Sequence, residues 1–284
     1  MINTLKNRIV EGKHGRNFLL DLYFKEDGRA KPLIVFGHGF KGFKDWGHWE
    51  AIGIELAKSG IAFIKFNYAF NGTTLDAPSD FDDLEAFGQN NYTKELDDFQ
   101  SALDWLFHQN AEWTKELDRS NITVIGHSRG GPIALITANE DQRVSKVVTW
   151  AAVHGLDYAW PNDQFLEQWK LDGVFHVKNG RTGQMMPLYY QLYENYLANE
   201  DRLDLSRSLT GFNKPTLIIH GAADPAVPVM AADVLQKILP HAKKVVIETG
   251  DHVFNGRHPF TETELPPESQ ALIDRTRNFV LETA

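Results

Sequence analysis

Residues 122–136 read ITVIGHSRGGPIALI, and the reading of this stretch decides the fold. Ile122 to Ile125 is a short β-branched run, as in a strand buried on both faces of a parallel sheet. Pro132, Ile133, Leu135 and Ile136 continue as a helix pattern. Between them lies Gly126-His127-Ser128-Arg129-Gly130, the G-x-S-x-G pattern of a strand–turn–helix unit with a serine at its tip. Such a serine must sit on a very sharp turn, so its backbone is strained. Glycines two residues to either side remove side chains that would strike the strand and the helix. The helix N-terminus then points free N–H groups at the place where negative charge develops. The plain alternative is a small-residue turn that only packs a helix on a strand.

The flanking sequence repeats this rhythm. Leu33–Phe36, Ile61–Phe66, Val144–Trp150, Thr216–Ile219 and Lys244–Ile247 are mostly apolar, and Asn17–Phe24 alternates like a half-buried antiparallel strand. Helix stripes separate them, for example Leu96, Phe99, Leu103 and Leu106, or Leu272, Ile273, Thr276, Phe279 and Val280. Alternation of this kind predicts an α/β fold: a mostly parallel central sheet of about eight strands flanked by helices. The rhythm breaks at residues 154–212, which are rich in Trp, Tyr and Phe. We read this stretch as a cap inserted into a core formed by residues 1–153 and 213–284. Within it, Lys178-Asn179-Gly180-Arg181 reads as a tight hairpin turn between strands near Val174–Val177 and Gln184–Met186. The long loop from Asn71 to Asn90 is either functional or a solvated spacer.

A serine hydroxyl needs a base, and the base needs an acid to orient it. In strand–turn–helix units of this kind the chain order is serine, acid, histidine. Asp224 follows the run Thr216–Ile219, and His252 follows the next one, so all three would meet at one edge of the sheet. Asp251 is a rival acid, but it adjoins the base instead of ending the previous strand. His258 is a rival base, but it stands beside Pro259, further from the strand end. His38 and His127 are expected to pack and hydrogen-bond near the loops. Glu95 and Asp98 are expected on an exposed helix face, and Arg129 and Arg181 as solvated side chains that could otherwise read an anionic group. Among the cap aromatics, Tyr158, Trp160, Phe165, Trp169 and Tyr190 are each expected to pack the cap, with some of the set lining the pocket.

These stretches together resemble the α/β-hydrolase superfamily over nearly the whole chain. His220 to Pro228, with H-G-x-x-D-x-x-V-P, resembles its acid loop; Gly250-Asp251-His252 resembles its histidine loop; His38-Gly39-Phe40 resembles its oxyanion loop. The resemblance is to the serine esterase and serine peptidase branch with a small cap. It implies that Ser128 attacks an acyl carbonyl, that His252 relays the proton, and that Asp224 holds the imidazole. It also implies an oxyanion hole from the backbone N–H groups of Phe40 and Arg129. The expected activity is cleavage of carboxylic esters through an acyl-enzyme. The alternatives are an exopeptidase or acyl-peptide hydrolase-like enzyme, a thioesterase or acyltransferase, and a binding module that has lost catalysis. Serine at this position argues against the relatives with an aspartate nucleophile. His-Gly-Phe departs from the glycine-rich lipase type.

Composition narrows the partners. With 29 basic and 38 acidic residues the net charge is −9, which opposes nucleic-acid binding. There is no cysteine, hence no disulfide and no thiolate site, and no metal or nucleotide motif stands out. No cofactor is expected. The expected partner is a small-molecule ester or a short peptide, with no membrane and with a homodimer left open. The polar stretch Met1–Val10 lacks the apolar core of a signal peptide, so a cytoplasmic location is expected.

Overall fold

The computed structural model describes residues 1–157 and 160–282. The strands are β1 (Ile2–Val10), β2 (Phe18–Lys25), β3 (Lys31–Gly37), β4 (Ala62–Phe66), β5 (Leu117–His127), β6 (Val144–Trp150), β7 (Val174–Lys178), β8 (Met185–Tyr189), β9 (Thr216–Gly221) and β10 (Lys243–Ile247). The helices are α1 (Trp49–Lys58), α2 (Leu84–Gly88), α3 (Tyr92–His108), α4 (Gly130–Glu140), α5 (Asp163–Asp172), α6 (Gln191–Ala198), α7 (Glu200–Leu203), α8 (Leu205–Ser208), α9 (Met230–Ile238) and α10 (Pro267–Leu281). Among the described residues, eight strands form one sheet in the order β1-β2-β4-β3-β5-β6-β9-β10. The β1–β2 and β2–β4 pairs are antiparallel, and the other neighbours are parallel.

The sheet is buried on both faces, which explains its nearly continuous apolar strands. One face packs on α3 and α4 through Val35, Ile64, Val124, Phe99 and Leu103. The other packs on α1 and α10 through Ile34, Phe63, Ile125, Leu56 and Leu272. Helix starts follow local chemistry. Asn91 Oδ1 accepts the Lys94 N–H at 3.1 Å to cap α3, and Asn162 Oδ1 accepts the Phe165 N–H at 2.9 Å to cap α5.

Two sequence expectations need correction, and one strand went without an expectation. Met1–Val10 contains a strand: β1 is an edge strand whose residues are mostly exposed, so it carries no apolar signal. β2 is buried on both faces instead of one. The hairpin turn is not tight, because Lys178 pairs with Met185 and leaves a six-residue connection at 179–184.

The polar residue that made β2 look half-buried is Asp21, which is fully buried. Its carboxylate accepts from Lys44 Nζ at 2.9 Å and from the Asn7 N–H at 2.8 Å, and Lys65 Nζ lies 3.0 Å away. Burial opposes its charge, but Lys65 and Lys44 outweigh burial and hold the carboxyl below the usual carboxylate range. A group with a lowered folded pKa stabilises above its unfolded pKa and loses that contribution as pH falls through the folded one. We predict that Asp21→Asn costs about 3–5 kcal/mol in urea unfolding at neutral pH, because it strands two buried ammonium groups beside a single remaining carboxylate, Asp45. The deficit relative to wild type should shrink on acidification. A cost under about 1 kcal/mol would show that the cluster is solvated.

Candidate active site

Ser128 stands at the end of β5, where α4 begins, with φ of +56°. A non-glycine residue there is strained, and the surrounding bonds impose it. Its N–H donates to Trp150 O at 2.9 Å, and its carbonyl accepts from Gly131 N at 3.0 Å. The two glycines of the motif are required by close approach. A Cβ on Gly126 would lie 1.9 Å from Gly130 O, and one on Gly130 would lie 2.7 Å from the carbonyl oxygens of Gly37 and His38.

The loop after β3 reaches over this turn. A Cβ on Gly39 would sit 2.7 Å from Ser128 Cβ, which puts the backbone leading to Phe40 against the serine. The loop is held from below. His38 Nδ1 donates to Gly39 O at 2.9 Å, and Asn71 Nδ2 donates to Gly42 O at 3.2 Å. Burial, with a smaller push from the Arg129 charge, lowers His38 to about 4, so it serves as a neutral strut.

His252 and Asp224 come together as the spacing requires. His252 Nδ1 donates to Asp224 Oδ2 at 2.8 Å. Asp224 Oδ1 accepts the N–H groups of Ala226 and Val227, each at 2.8 Å. Burial raises the Asp224 pKa, but bonds from His220, His252 and the Val227 N–H outweigh it and hold the carboxyl far below its usual range. His220 stands at the head of the acid loop. It is fully buried, its Nε2–H donates to Val227 O at 2.9 Å, and that nitrogen lies 3.4 Å from Asp224 Oδ2. Its place four residues before the acid, at the strand end, was the available signal.

The rivals are occupied elsewhere. Asp251 Oδ1 accepts the N–H groups of Val253 and Asn255 and shapes its own turn. His258 Nδ1 accepts the Gly47 N–H at 2.8 Å and stacks on Trp46. His127 Nε2 donates to the His252 carbonyl at 2.7 Å and so braces the histidine loop. Burial, followed by the adjacent His252, lowers His127 to about 3.

Three polar residues depart from expectation. Glu95, Asp98 and Arg129 are buried, not solvated, being 2%, 1% and 6% exposed. The Arg129 guanidinium pairs with the Glu95 carboxylate and lies 4.6 Å from the Phe40 ring centroid. The side chains of the two residues expected to supply oxyanion donors therefore pack on each other. Asp98 accepts the Ala69 N–H at 2.8 Å, and burial pushes its carboxyl well above the usual range. Periodicity placed Glu95 and Asp98 on α3, but it could not show that a second layer, α4 and the loop after β4, covers that face.

Ser128, His252, Phe40 and Trp49 border one cavity of about 260 Å3. The segment between β6 and β9 contributes Asn179, Gly180 and Arg181 to it. Its described aromatics do not line this cavity. Trp169 and Tyr190 meet edge to face, Phe165 packs on Trp169, and Trp160 packs on Tyr92; Tyr158 lies outside the described residues. The loop 71–90 is no solvated spacer: Phe81 and Phe87 are buried, and Gln184 and Gln191 donate to its carbonyls at Phe81 and Gly88. A roomier groove of about 680 Å3 between β1 and α3, lined by Glu11, Asp104 and Trp105, brings together none of the residues singled out above.

Strand order, sharp serine turn and paired loops define an α/β hydrolase, and comparison agrees. The chain matches the alpha/beta hydrolase fold family over residues 32–177 and 170–259, and it belongs to that family. It is 25% identical over 252 residues to the uncharacterized protein YfhR of Salmonella typhimurium, covering 87% of this chain and 74% of YfhR. Its structure is similar to the esterase domain of a Rhodothermus marinus protein (TM-score 0.63, 20% identity, 99% of each chain). It is also similar to a puromycin-hydrolyzing peptidase of Mycobacterium tuberculosis (TM-score 0.64, 17% identity), over 98% of this chain and 39% of that one. Among the described residues, no helix is long and apolar enough to cross a membrane.

Proposed function

We propose that this protein is a serine hydrolase that cleaves small carboxylic esters through an acyl-enzyme. The observation that carries this reading is the His252–Asp224 bond of 2.8 Å, with Ser128 at φ +56° bordering the same cavity as His252. In this mechanism His252 Nε2 takes the proton from Ser128 Oγ as that oxygen attacks the carbonyl carbon. The carbonyl electrons move onto oxygen, which the N–H groups of Phe40 and Arg129 stabilise. Collapse breaks the ester C–O bond, and His252 returns the proton to the leaving alkoxide. Water repeats the sequence and frees the acid. The segment 154–212 acts as the cap, through its 179–181 turn.

Esters are favoured over aminopeptidase substrates by a specific feature: no carboxylate is among the described residues bordering the cavity, so a peptide's ammonium group finds no counter-charge there. The cavity volume lies just below the range of roughly 300–1,000 Å3 usual for ligand pockets, which favours short acyl groups. The test is a p-nitrophenyl ester series run beside an aminoacyl-naphthylamide series, after labelling with a fluorophosphonate. We expect labelling, ester turnover above amide turnover, and kcat/KM falling from butyrate to decanoate. Dominant amide turnover would establish the peptidase, and failure of folded protein to label would remove the nucleophile.

A further inference from the structure

The cavity beside Ser128 holds positive charge without a matching negative one. Two cationic side chains border it, Lys41 from the loop after β3 and Arg181 from the turn between β7 and β8. Lys41 is partly buried, its backbone has a φ of +55°, and its Nζ donates to Lys178 O at 3.1 Å. Among the described residues, no carboxylate lies within 4.0 Å of that ammonium. Arg181 is held by aromatic faces, with its guanidinium 5.4 Å from the Phe43 centroid and 5.9 Å from that of Phe81. Its nearest carboxylate, Asp80, is 3.9 Å away and 66% exposed, a loose contact that water screens.

In a chain with nine more acidic than basic residues, cations are ordinarily paired, as Lys31, Lys44, Lys65 and Arg143 are here. Among the described residues, Lys41 has no such partner and Arg181 only the loose one with Asp80, and these two residues border the cavity that Ser128 borders. A half-desolvated cation gains most from an anion that arrives with its own binding energy, and two of the three Lys41 ammonium hydrogens are not needed by Lys178. The planar fork of Arg181 suits a carboxylate in particular.

We propose that Lys41 and Arg181 form a carboxylate subsite, so that the preferred substrates are short esters carrying a second, free carboxylate. This rests on the ester-hydrolase reading above. The carboxylate belongs either to the acyl part, as in a monoester of a dicarboxylic acid, or to the alcohol part. Both present the same chemistry to the two cations.

The experiment compares each anionic ester with a neutral amide of the same shape. The acyl arm uses the mono-p-nitrophenyl ester of glutaric acid against that of glutaramic acid. The alcohol arm uses 4-(butyryloxy)benzoate against 4-(butyryloxy)benzamide. The wild type should favour the anion in at least one arm by roughly ten- to hundred-fold in kcat/KM at low ionic strength, the worth of a charge-assisted hydrogen bond. That ratio should fall toward one in 0.5 M salt, because a site open to solvent is screened. It should also fall toward one in the Lys41→Gln/Arg181→Gln double variant, and Arg181→Lys should retain part of it. Neutral esters turned over as well as anionic ones, with Ser128 labelled by fluorophosphonate, would overturn the subsite and leave the ester hydrolase standing. A preference that survives the double substitution would overturn the assignment to these two residues. If no ester is turned over and Ser128 does not label, the ester-hydrolase reading fails and the subsite falls with it.

Discussion

Ser128→Ala should lower ester turnover by about 10⁴–10⁶-fold while leaving the protein folded. The size follows from what remains. In the proposed mechanism the N–H groups of Phe40 and Arg129 and the cavity would still bind the carbonyl, but no oxygen would be positioned to attack it, and only water could replace it. The fold should persist because Ala accepts the same strained backbone as Ser, and the bonds that impose φ of +56° run through the Ser128 main chain to Trp150 and Gly131. Ser128→Gly provides the control for strain. Positive φ at a non-glycine residue costs of order 1–3 kcal/mol, and glycine would release part of it. We therefore expect Ser128→Ala to unfold at the wild-type urea midpoint and Ser128→Gly at or above it. Both should lose fluorophosphonate labelling. Retention of more than a few per cent of wild-type turnover by either would place the nucleophile elsewhere.

The residues legible in the sequence were those whose chemistry depends on chain order alone. The strand runs ending at Ile125, Trp150 and Ile219 are apolar because both sheet faces are covered, the run ending at Ile247 is a partly exposed edge strand, and each carries a loop at the same edge. Hence Ser128, Asp224 and His252 could be proposed together from their positions after strands, and the Asp224–His252 bond fits that proposal. What periodicity could not show was the second layer. Glu95 and Asp98 lie on a helix whose stripe of Leu96, Phe99 and Leu103 suggested one buried face, yet the polar positions are covered too. Their burial depends on Arg129, Asn90 and the Ala69 N–H, all brought in from other elements. β1 escaped for the opposite reason: an edge strand exposed along most of its length needs no apolar pattern. The aromatic segment was misleading in its detail. Its rings pack mainly among themselves and on Tyr92, and the polar turn at Asn179–Arg181 is what reaches the cavity. Ring count alone says nothing of which way a loop tip points.

Asp224→Asn should lower kcat by roughly 10⁴-fold with little loss of stability. Asparagine keeps the shape, so its carbonyl can still accept the Ala226 and Val227 N–H groups that Asp224 accepts now. What changes is the bond to His252. At present His252 Nδ1 donates to the carboxylate, which leaves Nε2 bare to receive a proton from the serine. An Asn amide would donate to Nδ1 instead, drive the imidazole proton to Nε2, and present the nucleophile with a donor where it needs an acceptor. The carboxylate would also no longer offset the imidazolium that forms during attack. The charge on Asp224 is secure across ordinary conditions, since bonds from His220, His252 and Val227 outweigh burial and hold its pKa far below the usual range. Any loss of activity on mild acidification must therefore come from another group. Asp251→Asn is the informative comparison, because Asp251 accepts only backbone N–H groups of its own turn among the bonds it makes in the described residues. Its loss should cost less than about ten-fold through loosening of the histidine loop. If the two asparagine variants fall equally, or if Asp251→Asn falls further, Asp224 is not the acid that orients His252.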